Sequence, residues 1–132
     1  MNSKWTRFEG RQHGRTARPG LRVTIGPRHV IYLNGKACDA IDRHPAVEML
    51  YDGNRRIIGL KPVDPHKSYA FQVKKHGSSG DYHRISASAF CQHFRLQIDR
   101  TLLFEGAELD NDGVLLLDLN RTVTVGRGSR YK

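Results

Sequence analysis

Short apolar-periodic segments alternate with turn residues along most of the chain. LRVTIG (21–26) and HVIYLN (29–34) alternate apolar and polar positions with a period of two, the pattern of half-buried strands, and Pro27 separates them. GKACDAI (35–41) instead sets Ala37, Ala40 and Ile41 at helical spacing behind Asn34, a favourable N-cap residue. VEMLYD (47–52) and RIIGLKPV (56–63) bracket Asp52-Gly53-Asn54-Arg55, a hairpin turn signal. The predicted order is strand, strand, short helix, strand, strand.

That order then recurs. YAFQVKK (69–75), a GSSGD turn and YHRIS (82–86) supply two strands, and ASAFCQHF (87–94) a short helix with Phe90 and Phe94 on one face. TLLFEG (101–106) and GVLLLDL (113–119) follow across the acidic turn AELDND. At an offset of 53, Cys38 meets Cys91, Ala37 meets Phe90, Ile41 meets Phe94, and Tyr51-Asp52-Gly53 meets Phe104-Glu105-Gly106. Leu33-Asn34 meets Ile85-Ser86 after a slip of one residue, and the last strands align with about four extra residues in the second turn. Order, helix face and turn agree, which predicts an internal duplication. One ββαββ unit of roughly 40–50 residues is too small to bury an adequate core. Two copies, 21–63 and 69–119, are therefore expected to interleave and close a single β-barrel without free edges. The predicted fold class is mainly β with a small α content.

Composition narrows the function classes. A chain of 132 residues with 38% hydrophobic content fits one domain. No apolar run approaches the roughly 18–20 residues that span a bilayer, so no membrane association is expected. MNSKWTRFEGRQHGR lacks an apolar signal core, and the two cysteines lie in apolar-periodic segments. Both features point to a cytoplasmic protein with reduced core thiols.

The net charge of +9 becomes informative when divided along the chain. Residues 1–29 carry seven basic residues against Glu9, a net +6, and residues 120–132 carry four with no acid. The remaining 90 residues hold eleven basic and twelve acidic groups. The basicity thus belongs to the ends. Gly10, Gly14, Pro19 and Gly20 oppose a stable helix, so residues 1–20 are expected to form a disordered basic arm and 120–132 a shorter basic tail.

The segment HVIYLNGKACDAIDRHPAVEMLYDGNRRIIGLKPV resembles the AbrB-type swapped-hairpin β-barrel family, which includes bacterial transition-state regulators and antitoxins. The resembling features are Arg28 to Leu33 as an alternating strand behind a basic residue, Lys36 to Ile41 as the short helix, Val47 to Tyr51, Asp52-Gly53, and Ile57 to Pro62. In that family two chains intertwine into one barrel, so a duplicated chain would resemble the dimer fused into one molecule, monomeric or itself a homodimer. The resemblance implies operator DNA contacted by arginines near the first strands, matched here by Arg22 and Arg28, with Arg84 near a comparable position of the second copy. Cys38 and Asp39 stand on the helix where DNA-binding members often carry basic residues.

Other chemistry is thinly represented. Cys91-x-His93 and Asp81-Tyr82-His83 are the densest metal-like clusters, short of the four ligands of a structural zinc site. Asp110 and Asp112 lack the ligand spacing and closing glutamate of a calcium loop. No phosphate-binding glycine loop or nucleophile elbow occurs, so neither catalysis nor a cofactor or metal is expected. The basic ends suit phosphate backbones, where each lysine or arginine releases a counterion. The expected nucleic-acid contacts are Arg7, Arg11, Arg15, Arg18, Arg22, Arg28 and Arg84. Arg55-Arg56 is read as a solvated turn, with positive φ at Gly53 or Asn54 sending the two arginines to opposite sides, and Asp52 or Glu48 as partners for one of them. The expected function is a non-enzymatic DNA-binding protein of the transcription-regulator type. The alternatives are an antitoxin-like or phage-type module that binds a partner protein, and an RNA- or ribosome-binding protein.

Overall fold

Asn34 ends one element and starts the next. In the computed structural model, which describes residues 20–78 and 80–125, its Oδ1 accepts the Ala37 N–H at 3.0 Å and caps helix α1 (Gly35–Ala40). The same oxygen accepts the Arg22 N–H at 3.0 Å, tying the helix start to the chain entering β1 (Val23–Ile25). β1 pairs antiparallel with β2 (Val30–Asn34) across a turn closed by the His29 N–H on the Gly26 carbonyl. Gly35 lacks a Cβ where the Asp81 carboxylate lies, so the first helical position accepts no side chain without moving Asp81.

The hairpin expected over 47–63 is formed by β3 (Ala46–Asp52) and β4 (Ile57–Pro62), with Asp52 opposite Ile57. The Asp52 carboxylate accepts the N–H groups of Asn54 and Arg55 at 3.0 and 3.2 Å. The left-handed residue is Arg56 (φ 58°), not Gly53 or Asn54 as expected. Its backbone is held from outside: Leu119 N–H donates to the Arg56 carbonyl and the Asn120 amide to that of Arg55. Those two bonds stabilise an αL geometry that arginine otherwise rarely adopts.

The second half is more broken than its pattern predicts. The segment expected as one strand over 69–75 splits at Val73 into β5 (Phe71–Gln72), which pairs with β3, and β6 (Lys74–Lys75), which pairs with β7 (Tyr82–Ser86). Helix α2 (Ser88–His93) follows. β8 (Leu102–Phe104) pairs with β1, whereas β9 (Glu108–Leu109) pairs with β10 (Leu115–Asp118). Thr122–Thr124, expected within the C-terminal tail, form β11 against β8.

The ladders divide into a six-stranded sheet, β11-β8-β1-β2-β7-β6, and a five-stranded sheet, β5-β3-β4-β10-β9. The fold is mainly β, but the expected barrel closure is not found. The two segments that would carry hydrogen bonding from sheet to sheet change partners midway, at Val73 and between Phe104 and Glu108, and the ladders end there. Val23, Ile25, Ile31, Leu33 and Ile85 of the larger sheet share one buried cluster with Val47, Ile58, Leu60, Leu115 and Leu117 of the smaller. Cys38, Ile41 and Cys91 join it from α1, its C-terminal end and α2. Each fully buried aliphatic side chain contributes on the order of 1.5–3 kcal/mol. Among the described residues no helix is long and apolar enough to cross a membrane.

Candidate nucleic-acid interface

Period-two alternation sorts the six-stranded sheet into two faces. Ile31 and Leu33 are fully buried, so Val30, Tyr32 and Asn34 face away from the core. Register extends that outer face sideways. Tyr32 stands opposite Thr24 on one side and Arg84 on the other, and Arg84 stands opposite Lys74. Asn34 stands opposite Tyr82, and its N–H donates to the Arg22 carbonyl. Arg22, Tyr32, Lys74, Tyr82 and Arg84 therefore share one face.

The face has internal order. The Tyr32 ring packs edge-on with His76 at a centroid distance of 4.9 Å. Arg84 Nη1 donates to the Lys75 carbonyl at 3.1 Å, and Lys75 Nζ donates to the Gly80 carbonyl at 3.0 Å across the β6–β7 turn. Tyr82 is 43% exposed.

Charge separates between the sheets. Strands of the six-stranded sheet contain Lys74, Lys75 and Arg84 and no carboxylate, whereas those of the five-stranded sheet contain Glu48, Asp52, Glu108 and Asp118 against Lys61. Within the near-neutral middle of the chain, the strands of one sheet are thus net basic and those of the other net acidic.

Of the arginines singled out in the sequence, Arg7, Arg11, Arg15 and Arg18 lie outside the described residues. Arg22 and Arg84 are brought to the same face, two strand spacings or about 10 Å apart across the sheet. Arg28 is separated from them at the exposed tip of the Gly26–His29 turn, where His29 adopts φ 64°. Tyr32, Lys74, His76 and Tyr82 were not among the expected contacts. The alternation of HVIYLN and YHRIS, which puts Tyr32 and Tyr82 in the polar phase with Arg84, carries the signal for two of them.

The other charged clusters are structural. Arg43 reaches Asp39 Oδ1 with Nε at 2.6 Å and Asp81 with Nη2 and Nη1 at 2.7 and 3.2 Å, tying the end of α1 to the start of β7. These bonds hold the Asp81 carboxyl below the usual carboxylate range. His83, opposite Leu33 on the inner face, has a buried Nδ1 without a hydrogen bond, 3.7 Å from Asp81 Oδ1. In the acidic turn, Asp110 accepts the N–H groups of Asp112 and Val114 at 2.8 and 2.9 Å, which is turn chemistry. Arg55 Nε lies 3.9 Å from Asp52 Oδ2, one of the two partners expected for that turn.

Both cysteines are free and buried. Burial pushes the Cys38 thiol up to about 11 despite the nearby Arg43 charge, and burial raises Cys91 as well. Neither has the depressed pKa of an activated nucleophile. Among the described residues no group of three or more His, Cys, Asp and Glu side chains is placed to hold a metal. An open groove of about 590 Å³ beside α2 is lined by His29, Cys91, Gln92, Arg95 and Asp99 among others.

No protein-family model matches the chain, and no curated protein or solved structure matches it at a significant level.

Proposed function

We propose that this protein is a non-enzymatic DNA-binding protein of the transcription-regulator type, and that it meets phosphates through the basic outer face of the six-stranded sheet and its basic ends. The observation that carries the reading is the charge separation: the strands of one sheet hold Lys74, Lys75 and Arg84 and no carboxylate, with Lys74 and Arg84 on its outer face, and those of the other hold four carboxylates and one lysine. Phosphate contacts of this kind supply affinity and orientation without base choice. Arg7, Arg11, Arg15, Arg18 and Arg22 would extend the contact from the β1 end, and Arg28 from the turn.

A duplicated, AbrB-like architecture is part of the same proposal. Supporting it, α1 and α2 begin 53 residues apart and have equal length, and β2 and β7 begin 52 apart. β4 and β10 pair Gly59 with Leu116, 57 apart, as four extra residues in the second turn require. The segments 71–75 and 102–109 each touch both sheets, the arrangement of a flattened barrel open at two corners.

The test is binding to duplex DNA titrated against salt, for the full chain and for a chain lacking residues 1–20. Affinity that falls steeply with salt, and further on truncation, supports the proposal. Absence of binding at low salt overturns it.

One observation favours a second reading, a protein-interaction module. Leu50, Ile57 and Leu116 surround Gly59 on the outer face of the five-stranded sheet, with Glu48, Asp52 and Asp118 on the same face. A partner protein retained after nuclease treatment would support that reading.

A further inference from the structure

Resting on the DNA-binding reading, we infer that the outer face of the six-stranded sheet takes single-stranded DNA, with Tyr32 and Tyr82 as stacking platforms and Arg22, Lys74 and Arg84 on the phosphates. The two tyrosines are diagonal neighbours on β2 and β7, about 7–8 Å apart, within reach of one strand crossing the sheet. Tyr32 is braced by His76, and Tyr82 is open to solvent. The cations flank them on three strands or strand ends: Arg22 at the β1 entry, Arg84 opposite Tyr32, and Lys74 at the sheet edge. A basic surface with interleaved rings is what unpaired bases and their backbone require together, since a stacked ring needs a base face that a duplex hides.

Among the described residues, no long helix is offered from this face to a duplex groove. The two helices of the described residues have six residues each. The Arg43 guanidinium just beyond α1 is engaged by Asp39 and Asp81. DNA rather than RNA is taken as the strand because the inference rests on the DNA-binding reading, and the oligo-U probe below tests that choice.

The experiment compares a fluorescein-labelled 12-nucleotide oligo-dT, the matching oligo-U, and a 12-base-pair duplex by anisotropy at one salt concentration, with the full-length chain. Oligo-dT is expected to bind at least tenfold tighter than either of the others. Tyr82→Ala and Tyr32→Ala are each expected to weaken oligo-dT roughly 5- to 150-fold, the loss of one stacked base, and to weaken the duplex far less. Tyr82→Phe, which keeps the ring at an exposed position, is expected to bind as the parent does. Equal affinity for duplex and single strand, preference for oligo-U, or equal loss on all probes overturns the single-strand inference while leaving the DNA-binding reading standing. Failure to bind any probe overturns both.

Discussion

Tyr32 and Arg84 stand directly opposite each other at the centre of the β2–β7 ladder, on the face turned away from the core. Arg84 also donates to the Lys75 carbonyl, so it anchors the edge strand β6 as well as presenting charge. Arg84→Ala is expected to speed amide exchange in β6 severalfold, in line with the loss of one hydrogen bond worth about 0.5–1.5 kcal/mol, and to leave Ile31 and Leu33 protected. Hydrogen exchange measured residue by residue distinguishes this from global loosening, which would accelerate all three strands together.

Gly59 is a position where a single methyl group decides packing. It lies in the middle of β4, and an added Cβ would meet Val114 Cγ1 at 2.9 Å and Leu50 Cβ at 3.5 Å. Both neighbours are held in place, so Gly59→Ala is expected to destabilise the fold by about 1–3 kcal/mol through overpacking. Urea unfolding should show a lower midpoint with an unchanged slope; a stabilised variant would mean that the outer face of this sheet is looser than the distances imply.

The Arg43–Asp81 contact gives the acid limb of stability a definite sign. The Asp81 carboxyl is held below its ordinary range chiefly by hydrogen bonds from Arg43. Its contribution is therefore complete above the unfolded carboxylate value and is lost as pH falls through the lower folded value. The parent should lose stability relative to Asp81→Asn below about pH 4, and the two curves should run parallel at neutral pH. Both side chains are about half exposed, so the difference should shrink in high salt.

Thiol chemistry follows from burial. With Cys38 pushed up to about 11 and Cys91 raised too, a disulfide reagent at pH 7–8 should label neither in the folded protein and both after unfolding. Rapid labelling of either without denaturant would contradict the buried placement.

How much of this was legible in the sequence depended on whether the deciding physics was local. Asn34 as a cap, the two short helices and the β3–β4 hairpin were all readable, because capping, helical spacing and turn chemistry act within a few residues. The break at Val73 was not: YAFQVKK alternates as one strand, and only the competing partners β3 and β7 divide it. β11 was hidden for the same reason, since Thr122–Thr124 read as tail until Leu102–Phe104 offers an edge. The positive φ at Arg56 depends on hydrogen bonds from Leu119 and Asn120, more than sixty residues away. The candidate face was half legible. Arg22 and Arg84 were singled out, but summing charge along the chain concealed Lys74 and the basic sheet, because acidic strands that cancel it in sequence lie on the other sheet.

The most direct measurement is the slope of log affinity against log salt for DNA binding by the parent and by a Lys74→Glu, Arg84→Glu variant, with Lys61→Glu on the opposite sheet as control. Loss of two phosphate contacts should flatten the slope by roughly 1.4–1.8 and weaken binding at low salt, while Lys61→Glu leaves both unchanged. An unchanged slope in the double variant, or an equal change in the control, would contradict the assignment of the six-stranded sheet as the nucleic-acid-binding face.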